Sequence, residues 1–153
     1  MADDANASGF SDDQTRVLAL VLDEIIPPSP ERGLPGAGEA GVAAYVERVI
    51  RALPDLRSMV TQGLADLDAL ASDRHGRRFV ELPRTDRQAL LADQGFVFPL
   101  TLHTYVGYYQ IPRVAEALGL ESRPPHPQGY EMEPNDLSLL DPVRRRPKLF
   151  RSC

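Results

Sequence analysis

The sequence contains no tryptophan, a single cysteine and no long uninterrupted apolar run. A lone cysteine, Cys153, excludes an internal disulfide framework and the paired-cysteine motifs of zinc and redox sites. Because no stretch reaches the roughly 18 apolar residues that cross a bilayer, we expect no membrane span. The formal net charge of −5 argues against non-specific nucleic-acid binding, which depends on clustered basic side chains.

Apolar residues recur at helical spacing between residues 11 and 119. Ser11 and Gln14 form a predicted capping box, and Pro27 ends the helix that follows. The Val- and Ile-rich run in that segment is also compatible with a strand, but the cap and the spacing favour a helix. Further helices are predicted at residues 42–53, 55–75, 86–93 (capped by Thr85), 96–109 and 112–118. The helix at 96–109 holds five of the ten aromatic residues, and we expect it to be buried.

Beyond Leu120 the helical periodicity is lost apart from the short run LSLL at 137–140, and six of the fourteen prolines follow Glu121. The sequence therefore predicts an all-α fold, a small bundle of five or six helices with a long irregular Pro-rich C-terminal arm. The predicted limits are a disordered N-terminus at 1–10, a helical domain at 11–119 and the arm at 120–153.

The arm is richer in apolar side chains than disordered tails usually are, and its last twelve residues carry five basic side chains. We therefore expect it to lie in a groove, either on its own core or on another protein. Its predicted partner-binding residues are His126, Tyr130, Leu139, Leu140, Arg144, Arg145 and Phe150. If the arm enters a partner's cleft, His126 is the residue best placed to approach a substrate.

Residues 36–41, GAGEAG, match the GxGxxG pattern of dinucleotide-binding turns. That function needs a buried strand directly before the first glycine, whereas the preceding residues PPSPERGLP cannot form a central strand. We therefore interpret the segment as a flexible turn that leads into a helix. No catalytic, cofactor-binding or metal-binding residue is predicted on this chain.

We expect structural roles for the carboxylate pair of Asp23 and Glu24 and for His103. Asp23 and Glu24 are adjacent on a helix and point about 100° apart, so we expect a solvated pair at the helix end. His103 has only Pro99, Leu100, Val106 and Gly107 at helical neighbour positions, so we expect a hydrogen-bonded core or interface histidine.

Three tyrosines lie within five residues on the aromatic helix. Tyr105 and Tyr109 share one face of that helix, and Tyr108 is displaced to the side. Three tyrosines exceed what a small core readily buries with every hydroxyl satisfied, and tyrosine is enriched at interfaces. We therefore include all three among the partner-binding residues, while a core helix with partly exposed hydroxyls stays an equal alternative.

Five motifs together resemble the small (gamma) subunit family of gluconate 2-dehydrogenase. The pair DxIIP at residues 23–27 and PGAxEAGV at residues 35–42 carries most of the resemblance. The other three motifs are GLxxLD at 63–68, FxxLP at 79–83 and HTYxGYY at 103–109. The resemblance covers residues 11–110.

The resemblance implies a non-catalytic accessory subunit that binds and stabilises a large flavoprotein of the glucose–methanol–choline type. It places FAD on that large subunit, which oxidises a sugar or glycoside, and it allows an additional electron-acceptor protein. The first ten residues have no basic region and no apolar run, so we expect a cytoplasmic complex. A periplasmic one stays open if an export signal was removed.

Two other functions remain compatible with the sequence. The first is a stand-alone helical enzyme in which His103, Tyr105 and His126 form a site once the arm folds back. The second is a protein-interaction module unrelated to flavoproteins.

Overall fold

The computed structural model describes residues 9–122 and 136–147, and the chain divides into two units between Arg123 and Pro124. The described residues form helices and turns and contain no β-strand, which confirms the predicted all-α fold. The domain limits at residues 10 and 119 stay predictions. The helices are α1 (Asp12–Ile25), α2 (Val42–Arg51), α3 (Pro54–His75), α4 (Arg84–Leu91), α5 (Val97–Tyr109), α6 (Pro112–Ala117) and α7 (Asp141–Arg144).

Helix α1 begins where the predicted capping box places it. The Ser11 hydroxyl oxygen accepts the backbone N–H of Gln14 over 3.2 Å, and the Gln14 side chain accepts the Ser11 N–H over 3.0 Å. These two bonds satisfy backbone donors that the first turn of a helix otherwise leaves unpaired. The helix ends at Ile25, shortly before the two prolines at 27 and 28.

The core of the first unit is built around α1, which packs against α2, α3, α4 and α5. Its inward positions Val17, Leu18, Val21 and Leu22 are buried at the three- and four-residue steps of one helical face. Phe79 is fully buried in a 3₁₀ turn at Phe79–Glu81 between α3 and α4, and this turn also contacts α1.

Two glycines let α5 approach its neighbours closely. A Cβ atom on Gly107 of α5 would come within 2.6 Å of the Tyr45 ring of α2. A Cβ atom on Gly63 of α3 would collide with the ring of Phe96, which directly precedes α5. These contacts fix which face of α5 points to the core.

Helix α4 begins earlier than the sequence predicts. Thr85 was the predicted cap, but the cap position is occupied by Pro83, and the helix starts at Arg84. The Pro83 carbonyl accepts the N–H groups of Asp86 and Arg87, both over 3.1 Å. Proline suits this position because its fixed φ is compatible with a helix start and it lacks the N–H that would need a partner.

The described part of the second unit, residues 136–147, contains two short helical segments within the arm that the sequence predicts to be irregular. A 3₁₀ turn at Leu137–Leu140 runs directly into the single turn of α7. The Asp136 carboxylate accepts the backbone N–H of Ser138 over 3.0 Å and so caps this segment, and Pro142 lies in the first turn of α7. A capping aspartate and a proline in the first turn are local helix-start signals, which outweigh the high proline content here.

Candidate functional site

Asp23 holds the glycine-rich turn against the end of α1. Its Oδ1 atom accepts the backbone N–H of Gly38 over 2.7 Å and that of Glu39 over 3.3 Å. The predicted solvated carboxylate pair is therefore wrong for this residue. The error arises because the partners of Asp23 lie 15 and 16 positions away in the sequence, beyond the reach of a local pattern.

The glycines of the GxGxxG match serve packing. A Cβ atom on Gly36 would collide with the Asp23 carboxylate, and one on Gly38 would collide with the Ala19 carbonyl oxygen of α1. Ala37 between them is fully buried, and its N–H donates to the Ile26 carbonyl over 3.0 Å. The turn is thus pressed against α1, which differs from the flexible turn that we expected.

Glu24 joins α1 to α4, and its side chain is only 4% exposed. Its Oε1 atom accepts two bonds from Arg87, over 2.7 Å from Nη2 and 3.0 Å from Nε. Its Oε2 atom accepts one bond each from Arg84 and Gln88, both over 3.1 Å. The prediction of a solvated pair is wrong here too, because α4 brings two guanidinium groups from 60 and more residues away.

One face of α5 belongs to the core. Leu100, Thr104, Gly107 and Tyr108 are buried at the spacing of a single helical face. The Tyr108 hydroxyl donates to the Pro35 carbonyl over 2.7 Å, and burial raises the pKa of this hydroxyl above its ordinary value. The side chain of Tyr108 therefore contributes to folding, and we keep the partner-contact hypothesis for the other two tyrosines.

The opposite face of α5 is apolar and exposed. Phe98 is 87% exposed and Leu102 is 64% exposed. We call this surface the α5 apolar face, and it consists of Phe98, Leu102, Tyr105, Val106 and Tyr109. The prediction that residues 96–109 form a buried helix is thus wrong for half of the helix surface. The sequence pattern is apolar on both sides, and such a helix is normally buried all round.

The tyrosines of the α5 apolar face lie on the same side of the helix, as the spacing predicts, and their rings also pack on one another. The rings of Tyr105 and Tyr109 stack with centroids 6.2 Å apart and an interplanar angle of 9°. The Tyr108 ring meets the Tyr109 ring edge to face at 5.3 Å. The core residue Tyr108 therefore holds Tyr109 in place, which makes this part of the exposed face preorganised.

A groove runs beside the α5 apolar face, between the end of α1, helix α4 and helix α5. Its volume is about 470 Å³. The residues that give it an apolar lining are Ile25, Leu91, Ala92, Val97, Phe98 and Tyr105. Phe98 and Tyr105 belong to both surfaces, so the groove and the α5 apolar face are continuous.

Four of the partner-binding residues predicted on the arm lie in the described part of the second unit. Leu139 is 78% exposed, and Leu140, Arg144 and Arg145 are exposed as well. Their availability for contact agrees with the hypothesis, which stays untested. The other three predicted residues, His126, Tyr130 and Phe150, lie outside the described residues.

The structure gives partial information on the predicted enzyme site. His103 is half-buried on α5 and Tyr105 is exposed on the same helix, while His126 lies outside the described residues. Within residues 9–122 and 136–147, no group of three or more His, Cys, Asp or Glu side chains is arranged to hold a metal ion. No described helix is both long and apolar enough to cross a membrane.

Sequence reasoning missed Phe98 and Leu102 as candidate contact residues. Together with Tyr105 and Tyr109 they follow steps of four, three and four residues, which is one side of a helix. Leu100, Thr104 and Tyr108 define a second side with equal regularity. The sequence therefore shows two candidate sides for α5, and only the structure shows which of them faces the core.

Residues 12–95, more than half of the chain, match the family model of gluconate 2-dehydrogenase subunit 3. The matched region contains α1 to α4, with both carboxylates discussed above, and it ends two residues before α5. No curated protein and no solved structure matches the chain.

Proposed function

The chain belongs to the gluconate 2-dehydrogenase subunit 3 family, and we propose that it is the non-catalytic accessory subunit of an FAD-dependent sugar or glycoside dehydrogenase. Family membership implies an oxidoreductase partner, because subunit 3 is by description one part of a dehydrogenase with several subunits. In this proposal the partner is a large flavoprotein of the glucose–methanol–choline type. It holds FAD and performs the oxidation, and the proposal allows an additional electron-acceptor protein.

The α5 apolar face is the observation that carries the proposal. Contiguous exposed apolar surface is uncommon on monomeric soluble proteins and typically marks an interaction site. Three of its five residues are aromatic: Phe98, Tyr105 and Tyr109. Aromatic residues are enriched in the central part of protein interfaces. Docking on the large subunit would bury this face and keep both subunits soluble.

The energetics require more contact than this face supplies. Phe98, Leu102, Tyr105 and Tyr109 are between 44% and 87% exposed. Burying those exposed fractions contributes about 4–7 kcal/mol, at about 1.5–3 kcal/mol for each fully buried side chain. Association of two proteins costs roughly 4–15 kcal/mol in lost translational and rotational freedom. A stable complex therefore needs contacts in addition to the α5 apolar face.

The second unit offers one such contact. Leu139, Leu140 and Val143 expose apolar side chains within one short helical segment, and three arginines follow at 144–146. In the proposal the leucines pack on the flavoprotein, and the arginines face acidic groups at the rim of that contact. A second attachment point on the same chain raises the overall affinity because it binds at high effective concentration once the first contact has formed.

Co-expression with the large flavoprotein subunit tests the proposal. The affinity-tagged chain is expected to co-purify with a flavoprotein that mass spectrometry identifies as the dehydrogenase and that carries FAD absorbance. Leu102→Asp, which puts a charge at the centre of the α5 apolar face, is expected to abolish co-purification. Met59→Asp is the matched control, since Met59 is also an exposed apolar residue within a helix, and it is expected to leave the complex intact.

Two results would contradict the proposal. One is a wild-type chain that stays free in the presence of the folded, FAD-loaded large subunit. The other is dehydrogenase activity of the purified chain alone, with FAD and a sugar acid supplied, which would show that the chain is itself the catalyst.

A further inference from the structure

We draw no further inference here: the strongest candidate, the cleft of about 410 Å³ between the start of α1, the end of α2 and the start of α3, is lined by polar side chains that include Glu47, Arg51 and Arg57, and nothing in the described residues shows what binds there.

Discussion

The Asp23 carboxylate at the end of α1 accepts the backbone N–H of Gly38 over 2.7 Å. Asp23 belongs to the DxIIP motif, and Gly38 stands at the unspecified position of the PGAxEAGV motif; the family resemblance depends most on these two motifs. Their spacing in the sequence thus has a physical reason: the aspartate needs a turn without side chains against it, and the glycines supply that turn. The motif pair holds the glycine-rich turn against α1.

Removing the Asp23 carboxylate is expected to destabilise the first unit. Asp23→Ala leaves the N–H groups of Gly38 and Glu39 without their acceptor, which we expect to lower the free energy of unfolding by about 1–3 kcal/mol. Urea denaturation followed by circular dichroism measures the change. Asp23→Asn keeps one acceptor oxygen and should lose less, and equal losses for the two variants would contradict the hydrogen-bond explanation.

A methyl group at Gly38 is expected to be more damaging than one at Gly95. A Cβ atom on Gly38 meets the Ala19 carbonyl oxygen of α1, whereas nothing lies within 4 Å of a Cβ atom on Gly95. We expect Gly38→Ala to cost about 1–3 kcal/mol of unfolding free energy, as overpacking does, and Gly95→Ala to be neutral or slightly stabilising. Thermal melts of both variants test this, and similar melting temperatures would show that the turn tolerates a side chain.

The Glu24 contacts are expected to contribute unequally to stability. The Arg87 side chain is 17% exposed and donates two bonds to Glu24, while the Arg84 side chain is 54% exposed and donates one. We expect Arg87→Ala to cost about 2–3 kcal/mol and Arg84→Ala less than about 1 kcal/mol, because solvent screens the exposed pair. A double-mutant cycle with Glu24→Gln isolates each coupling. Equal couplings would refute this ranking.

Alkaline pH is expected to destabilise the fold through Tyr108. Burial raises the pKa of the Tyr108 hydroxyl, so above the ordinary tyrosine value of about 10 the unfolded chain loses this proton first. The contribution of Tyr108 to stability is complete below pH ~10 and falls as the pH rises through the pKa of the folded state. Unfolding free energies on both sides of pH ~10 should fall less steeply for Tyr108→Phe than for wild type. An unchanged slope would contradict the assignment.

Salt is expected to weaken the contact made by the second unit more than the contact made by α5. The double variant Arg144→Ala/Arg145→Ala should slow association with the catalytic subunit and reduce the dependence of the association rate on salt. The matched control Arg74→Ala/Arg77→Ala removes the same charge from exposed positions of the first unit. If both double variants slow association equally in surface plasmon resonance, the effect is one of net charge and the arginine contact is refuted.

The features that sequence analysis predicted correctly depend on neighbours in the chain. The capping box of Ser11 and Gln14 joins residues three positions apart, and the placement of Tyr105 and Tyr109 on one face follows from the helical repeat. The helices and their order could also be predicted from the sequence, because the apolar spacing within each segment is a local pattern. The sequence predicts the start of α4 two residues late, because threonine is a common capping residue and Thr85 stands just inside the helix, while Pro83 holds the cap position.

The features that were predicted wrongly depend on contacts between distant segments. No local pattern reveals that Arg84 and Arg87 meet Glu24 or that Gly38 meets Asp23. The exposure of Phe98 and Leu102 is a third case, because apolar residues on both sides of α5 predict burial without saying what buries each side. The fold of this chain covers one side of the helix and leaves the other side open.

The central claim is that the α5 apolar face becomes buried against the catalytic subunit. Hydroxyl-radical footprinting with mass spectrometry tests it most directly, because it measures the solvent exposure of individual side chains. In the purified complex the labelling of Phe98, Leu102, Tyr105 and Tyr109 should fall several-fold relative to the free chain, and that of Met59 should stay the same. Unchanged labelling of Phe98 and Leu102 in an intact complex would contradict the account.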